Sequence, residues 1–229
     1  MSFIITIDGP AAAGKSTVAR ELSRRQNLLY LDSGALYRAM AWKVLQAGIA
    51  IQTVPEVTAF CCDLNVTISN GETSTEVWVD FENVTPFLRN PDVTRLSSLI
   101  STYPGVRSKL LSLQRDIAKE GVVAEGRDMG TVVFPNADIK FYLDADINVR
   151  GGRRFKEFQA HHIPCDMNSV VDEIEKRDQR DRQREVAPLY AASDALIIDS
   201  TSCSLEEVVS MMEQKIQEKK GDSSRLVLL

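Results

Sequence analysis

The stretch Asp8-Gly9-Pro10-Ala11-Ala12-Ala13-Gly14-Lys15-Ser16-Thr17 decides the reading of this 229-residue chain. Before it runs Phe3-Ile4-Ile5-Thr6-Ile7, rich in β-branched residues and short enough for a buried strand. After it comes Val18-Ala19-Arg20-Glu21-Leu22, with helix-forming composition and apolar spacing. Strand, glycine-bearing loop and helix form the context in which G-x-x-x-x-G-K-[ST] cradles phosphate. Gly9 and Gly14 can take backbone angles closed to other residues, and they carry no Cβ to meet an anion. Successive backbone N–H groups then point into one concavity at the positive end of a helix. The expected triphosphate cradle is Gly9, Pro10, Ala11, Ala12, Ala13, Gly14, Lys15, Ser16 and Thr17. Lys15 brings charge near the β- and γ-phosphates, and the Ser16 hydroxyl can hold Mg²⁺. This stretch alone leaves open what receives the phosphate.

Working outward, Leu28-Leu29-Tyr30-Leu31 reads as a second buried strand, ending at the loop and cap signal Asp32-Ser33-Gly34. A helix is expected from Ala35 to about Gly48. Residues 64 to 90 change character. Asn65–Ser69 and Glu76–Asp80 alternate about an Asn70-Gly71 turn, which predicts a small antiparallel hairpin. Val93 to about Lys119 reads as helix, broken near Tyr103-Pro104-Gly105. Val122-Val123-Ala124 is a third strand, delivering Glu125-Gly126-Arg127-Asp128 to the end where the first loop lies. Ile139–Leu143 and Ala195–Ile198 are the fourth and fifth. Ser204–Lys220 is a closing helix with a capping box at Ser204-Leu205-Glu206-Glu207, and Gly221–Leu229 is a loosely held tail. Strands alternating with helices predict an α/β protein with a parallel five-stranded sheet covered on both faces.

Composition bounds the partners. The net charge of −5 argues against a general nucleic-acid surface. No apolar run reaches membrane-spanning length, and Met1-Ser2 leads straight into a strand without signal-peptide regions. A cytoplasmic protein with no membrane partner is the expectation. Cys61, Cys62, Cys165 and Cys203 show no C-x-x-C spacing and read as buried free thiols. His161-His162 reads as a solvated loop pair rather than a metal site.

Against this acidic background two arginine clusters stand out. Arg150, Arg153 and Arg154 fall on one helical face. Arg177, Arg180, Arg182 and Arg184 crowd into eight residues with Asp178 and Asp181 between them. Arginines 177, 180 and 184 share one face and the two aspartates another. An acceptor that carries its own phosphate repels the γ-phosphate unless positive groups surround both. Guanidinium forks suit that task.

Three blocks then carry a family resemblance. Asp32-Ser33-Gly34-Ala35-Leu36-Tyr37-Arg38, the run from Glu125-Gly126-Arg127-Asp128 to Phe134-Pro135, and Lys176-Arg177-Asp178-Gln179-Arg180-Asp181-Arg182 resemble the signature blocks of bacterial cytidylate kinases, in order and spacing, over roughly residues 3 to 218. The resemblance implies a P-loop NTPase of three-layer αβα class: a core of residues 1–32, 106–147 and 166–229, a nucleoside-monophosphate-binding subdomain with the β insert at 33–105, and a helical lid at about 148–165. It implies transfer of phosphate from ATP, with Mg²⁺, to CMP and dCMP, by a monomer. Ser33, Tyr37 and Arg38 would line the CMP site, and Ser98, Arg107 and Asp128 would contact the base. Arg127 and Arg184 would bind the CMP phosphate, while Arg177 and Asp181 would hold the sugar hydroxyls. Arg150, Arg153 and Arg154 would belong to the lid over the ATP phosphates. Lys15, Arg127, Arg153 and Arg184 are the expected catalytic set, and Arg154 joins the ATP-binding one. At Glu125 the family commonly has Asp. A shikimate- or gluconate-type kinase shares the loop but gives no reason for the hairpin insert. A nucleotide-driven switch would need N-K-x-D and D-x-x-G motifs, which the sequence lacks.

Overall fold

The structure is a computed structural model, and it describes residues 2–70 and 75–226. In chain order the elements are β1 (Ile4–Asp8), α1 (Lys15–Gln26), β2 (Leu29–Asp32), α2 (Ser33–Gln46), α3 (Val54–Asp63), β3 (Val66–Asn70), β4 (Thr75–Val79), β5 (Glu82–Asn83), α4 (Pro91–Ile100), α5 (Pro104–Ile117), β6 (Val122–Gly126), β7 (Ile139–Asp144), α6 (Ile147–Ala160), α7 (Met167–Gln183), β8 (Leu196–Asp199) and α8 (Leu205–Leu226). The chain divides into two compact units, Met1–Leu31 with Ala118–Leu229, and Asp32–Ile117.

The first unit holds a five-stranded sheet in the order β2-β6-β1-β7-β8. It is the parallel sheet expected of an α/β chain, with β1 paired parallel to both β6 and β7. The register sets Asp8 beside Gly126 and Tyr142. The loop after β1 and the Glu125–Asp128 segment therefore leave the sheet at the same carboxyl end, in the crevice where strand order reverses. Period-two alternation sends Ile5 and Ile7 to one face, where they join Val123, Phe141 and Leu143. Helices α1 and α8 close that face with Val18, Ala19 and Leu22, and with Val208, Val209, Met212 and Ile216. Burial of this set supplies the main stabilisation of the unit. A smaller cluster packs Ala11 against Phe158 of α6 and Val170 and Ile174 of α7.

In the second unit α2 begins with its N-cap Asp32, whose carboxylate accepts from the Ala35 N–H at 2.9 Å. The predicted hairpin is present as β3 and β4, paired antiparallel, and the two-residue strand β5 adds a third member. The Gly71 half of the predicted turn lies outside the described residues. Helix α3 has no counterpart among the sequence expectations. The expected break in the long helical stretch is real: α4 ends at Ile100 and Pro104 opens α5, where a missing N–H costs nothing.

Four expectations need correction. Helix α8 continues to Leu226 instead of stopping at Lys220, so residues 221–226 are helical rather than a loose tail, and 227–229 lie outside the described residues. Only Cys61 among the four free thiols is buried; Cys62 is exposed and Cys165 and Cys203 are intermediate. Helix α7 ends at Gln183, so Arg184 has extended backbone (ψ 140°) and does not share a helical face with Arg177 and Arg180. Arg150 is buried and turned into the protein, so α6 does not present all three of its arginines together.

Candidate active site

Gly9 leaves β1 at φ 149°, and a Cβ there would stand 2.0 Å from the Leu143 carbonyl oxygen, so only glycine fits. Gly14 caps α1 at φ 95°. Between them Ala12 sits at φ 58°, a left-handed conformation a non-glycine residue holds only under constraint. Residues 9–17 thus form a strand-to-helix loop that ends at the positive end of α1. Lys15 is 5% exposed, and its ammonium group donates to the Pro10 carbonyl at 2.6 Å. Burial, with the charges of Arg127 and Arg177 nearby, lowers its pKa to about 7.

Beside Lys15, the exposed Ser16 hydroxyl donates to Glu125 Oε1 at 2.5 Å, and Tyr30 donates to the same oxygen at 3.2 Å. Glu125 is itself buried at the end of β6. Ser16 and Glu125 are hard oxygen donors side by side at this loop, a set whose chemistry fits Mg²⁺. No group of three or more His, Cys, Asp or Glu able to hold a metal occurs among the described residues.

Arg127 and Arg184 each meet a buried carboxylate. Arg127 Nε donates to Asp181 at 2.8 Å, and Arg184 Nη2 lies 3.4 Å from Asp128. Burial pushes Asp181 up, but Arg127, Arg177 and Arg184 together hold it below the usual carboxylate range. Burial alone would lower Arg127, yet Asp181, Asp178 and Glu125 keep its pKa raised. Two arginines are thereby fixed in orientation by buried carboxylates. Arg153 reaches back to the loop, donating to the Ala13 carbonyl at 3.1 Å and to Ser200. Arg154 instead lies along its own helix, 2.8 Å from Glu157 and over the Phe158 ring.

In the second unit Arg38 is paired with the cap residue Asp32 at 2.8 Å. Ser33, Tyr37, Ser98 and Arg107 are all buried, and Arg107 lies 5.8 Å from the Tyr37 ring centroid while donating to the Ser101 carbonyl. The two units therefore each collect a subset of the expected residues.

Three functional groups escaped the sequence reading. Asp8 accepts from the backbone N–H groups of Met129 and Gly130 at 2.9 and 2.8 Å, bracing the π-helical turn Met129–Val133 that follows Asp128. Burial raises its pKa to about 6. Asp178 accepts from the Ala11 N–H, and Ser200 ties Ala13 to Asp144. Asp8 could have been found as the polar residue ending a buried strand and Asp178 as a carboxylate inside the arginine cluster; Ser200 carries no sequence signal.

This sheet order, cradle and arginine set define a phosphotransferase of the phosphate-binding-loop class. A cytidylate kinase family model matches residues 5–218. The chain is 42% identical to a cytidylate kinase of Geobacillus sp. strain WCH70, covering 95% of this chain and 97% of that one, and 43% identical to one of Enterococcus faecalis, covering 94% and 96%. A bifunctional pantoate ligase/cytidylate kinase of Synechococcus sp. is 41% identical over 95% of this chain, which spans 42% of that longer protein. The chain belongs to the cytidylate kinase family.

Proposed function

We propose that this protein transfers the γ-phosphoryl group of ATP in line to the phosphate of CMP, and of dCMP, giving ADP with CDP or dCDP. The observation that carries the reading is the loop with buried Lys15, in the same unit as two arginines whose guanidinium groups are held by Asp181 and Asp128. A phosphate monoester oxygen is already a nucleophile, so no general base is required. The protein's work is to hold two anions together and spread the charge that develops. Lys15 and the loop amides hold the donor, with Ser16 and Glu125 as the pair that would hold Mg²⁺ against its phosphates. When bound, the metal ion neutralises charge on the transferred group. Arg127 and Arg184 take the acceptor phosphate, and Arg153, which donates to the Ala13 carbonyl of the loop, adds charge beside the donor. Arg154 would join them only by leaving Glu157 as the lid of residues 148–165 closes and excludes water.

For the acceptor, Ser33, Tyr37, Arg38, Ser98, Arg107 and Asp128 are the binding set, and Arg177 and Asp181 hold the sugar. Cytosine offers an amino donor and a carbonyl acceptor, which a carboxylate and a guanidinium match. Uracil reverses part of that pattern and leaves a buried group unpaired, at a cost of about 1–3 kcal/mol. The protein works as a cytoplasmic monomer. No helix among the described residues is long and apolar enough to cross a membrane.

The test is ATP-dependent ADP release with CMP, dCMP, UMP, AMP and shikimate as separate acceptors. Activity with CMP and dCMP, weaker with UMP and absent with shikimate, is expected. ATP binding without release on any acceptor would overturn the assignment.

A further inference from the structure

Ala11 is held from three sides. Its N–H donates to Asp178 Oδ1 at 2.9 Å, and its carbonyl accepts from Arg150 Nη1 at 3.0 Å. The residue is 6% exposed, and its methyl group packs with Phe158, Val170 and Ile174. Arg150 and Asp178 are joined to each other at 2.5 Å, and Arg150 Nε also holds the Ala145 carbonyl at the entry to α6. Both side chains are more than nine-tenths buried. The next residue, Ala12, carries the left-handed backbone on which the curvature of the loop depends. Strained backbone of this kind persists where its surroundings over-determine it.

We propose that Arg150 and Asp178 are positioning residues that lock the phosphate loop in its binding curvature by gripping both backbone groups of Ala11, and that Arg150 is not itself a phosphate ligand. This rests on the assignment of residues 9–17 as the ATP cradle. The pair couples α6 and α7 to the loop, so the arrangement of those two helices sets the shape of the donor site. One ångström of misplacement in a phosphate cradle is enough to lower binding and transfer steeply.

The experiment compares wild type with Arg150→Met, Asp178→Asn and the double variant Arg150→Met/Asp178→Leu. ATP affinity is measured by calorimetry without acceptor, alongside KM for ATP and for CMP and the melting temperature. Replacing both charges with apolar groups preserves the buried packing. The double variant also removes the partners of the Ala11 N–H and of the Ala11 and Ala145 carbonyls, so it should melt below the wild type. Measured well below that temperature, its ATP affinity should fall about tenfold or more while KM for CMP stays within about twofold. Asp178→Asn keeps Arg150 but loses its ionic partner, and it should weaken ATP in the same direction. Loss of ATP affinity in Arg150→Met with none in Asp178→Asn would overturn the proposal in favour of direct phosphate contact. Unchanged ATP affinity in the double variant would overturn it outright. If the double variant does not fold, Asp178→Asn decides alone. A wild type that binds ATP but phosphorylates no CMP would refute the kinase reading and leave the loop test standing.

Discussion

Lys15 and Asp8 are two buried ionisable side chains, and burial moves their pKa values toward neutrality from opposite ends. Lys15, lowered to about 7 by burial and by Arg127, is mostly uncharged at pH 8 in the unliganded protein. Bound phosphates favour the ammonium form, so ATP binding at pH 8 should take up close to one proton. Affinity should then fall above pH 7 by up to about tenfold per pH unit. Calorimetry in HEPES and Tris, whose ionisation heats differ, reads this directly; equal enthalpies in both would remove the mechanism. Asp8 is raised by burial from 3.8 to about 6, so between these values the folded state binds more protons than the unfolded state. Its contribution to stability is therefore largest below pH 4, is lost as the pH climbs to 6, and is constant above. The loss amounts to about 3 kcal/mol. Urea unfolding of wild type and Asp8→Asn should show the difference between them shrinking by that order from pH 4 to 6.5. A constant difference would mean that Asp8 does not titrate in this range.

Among the elements, legibility in the sequence follows how local each cause is. The cap Ser204, whose hydroxyl and N–H both meet Glu207 at 2.8 Å, is legible in four consecutive residues, Ser204-Leu205-Glu206-Glu207. Ser204→Ala should cost about 1 kcal/mol in chemical denaturation, and a loss below a few tenths would show that Glu207 alone secures the helix start. The five strands and the loop were equally legible because apolar runs and glycine spacing are local. The antiparallel insert was legible as a hairpin, but β5 is two residues long and has no period to detect. Helix α7 was read as a helix with two faces of charge. Burial of Asp178 and Asp181 depends on Ala11, Arg150 and Arg127, which lie far away in sequence. For the same reason Arg150 looked like one of three lid arginines; its neighbours at i+3 and i+4 say nothing of the carbonyl it grips 139 residues earlier.

Across the whole molecule, the chain carries a net charge of −5 yet gathers Lys15, Arg127, Arg153, Arg177 and Arg184 in one unit. ATP at a hundred times its dissociation constant should stabilise the protein by about 2.7 kcal/mol, seen as a rise in melting temperature. Lys15→Ala should lose most of that rise while retaining the fold, since the ammonium group holds the loop through one backbone carbonyl, that of Pro10. An undiminished rise in that variant would place the donor elsewhere.

Strand β8 ends the sheet order, with Leu196 38% and Ile197 70% exposed. A sheet rim that is both unpaired on its outer side and greasy is a template for another molecule's strand. Concentrated solutions of the purified protein are therefore expected to associate first along this rim. Ile197→Lys should raise the concentration at which light scattering first appears without altering ATP affinity. If scattering begins at the same concentration, precipitation starts from some other surface.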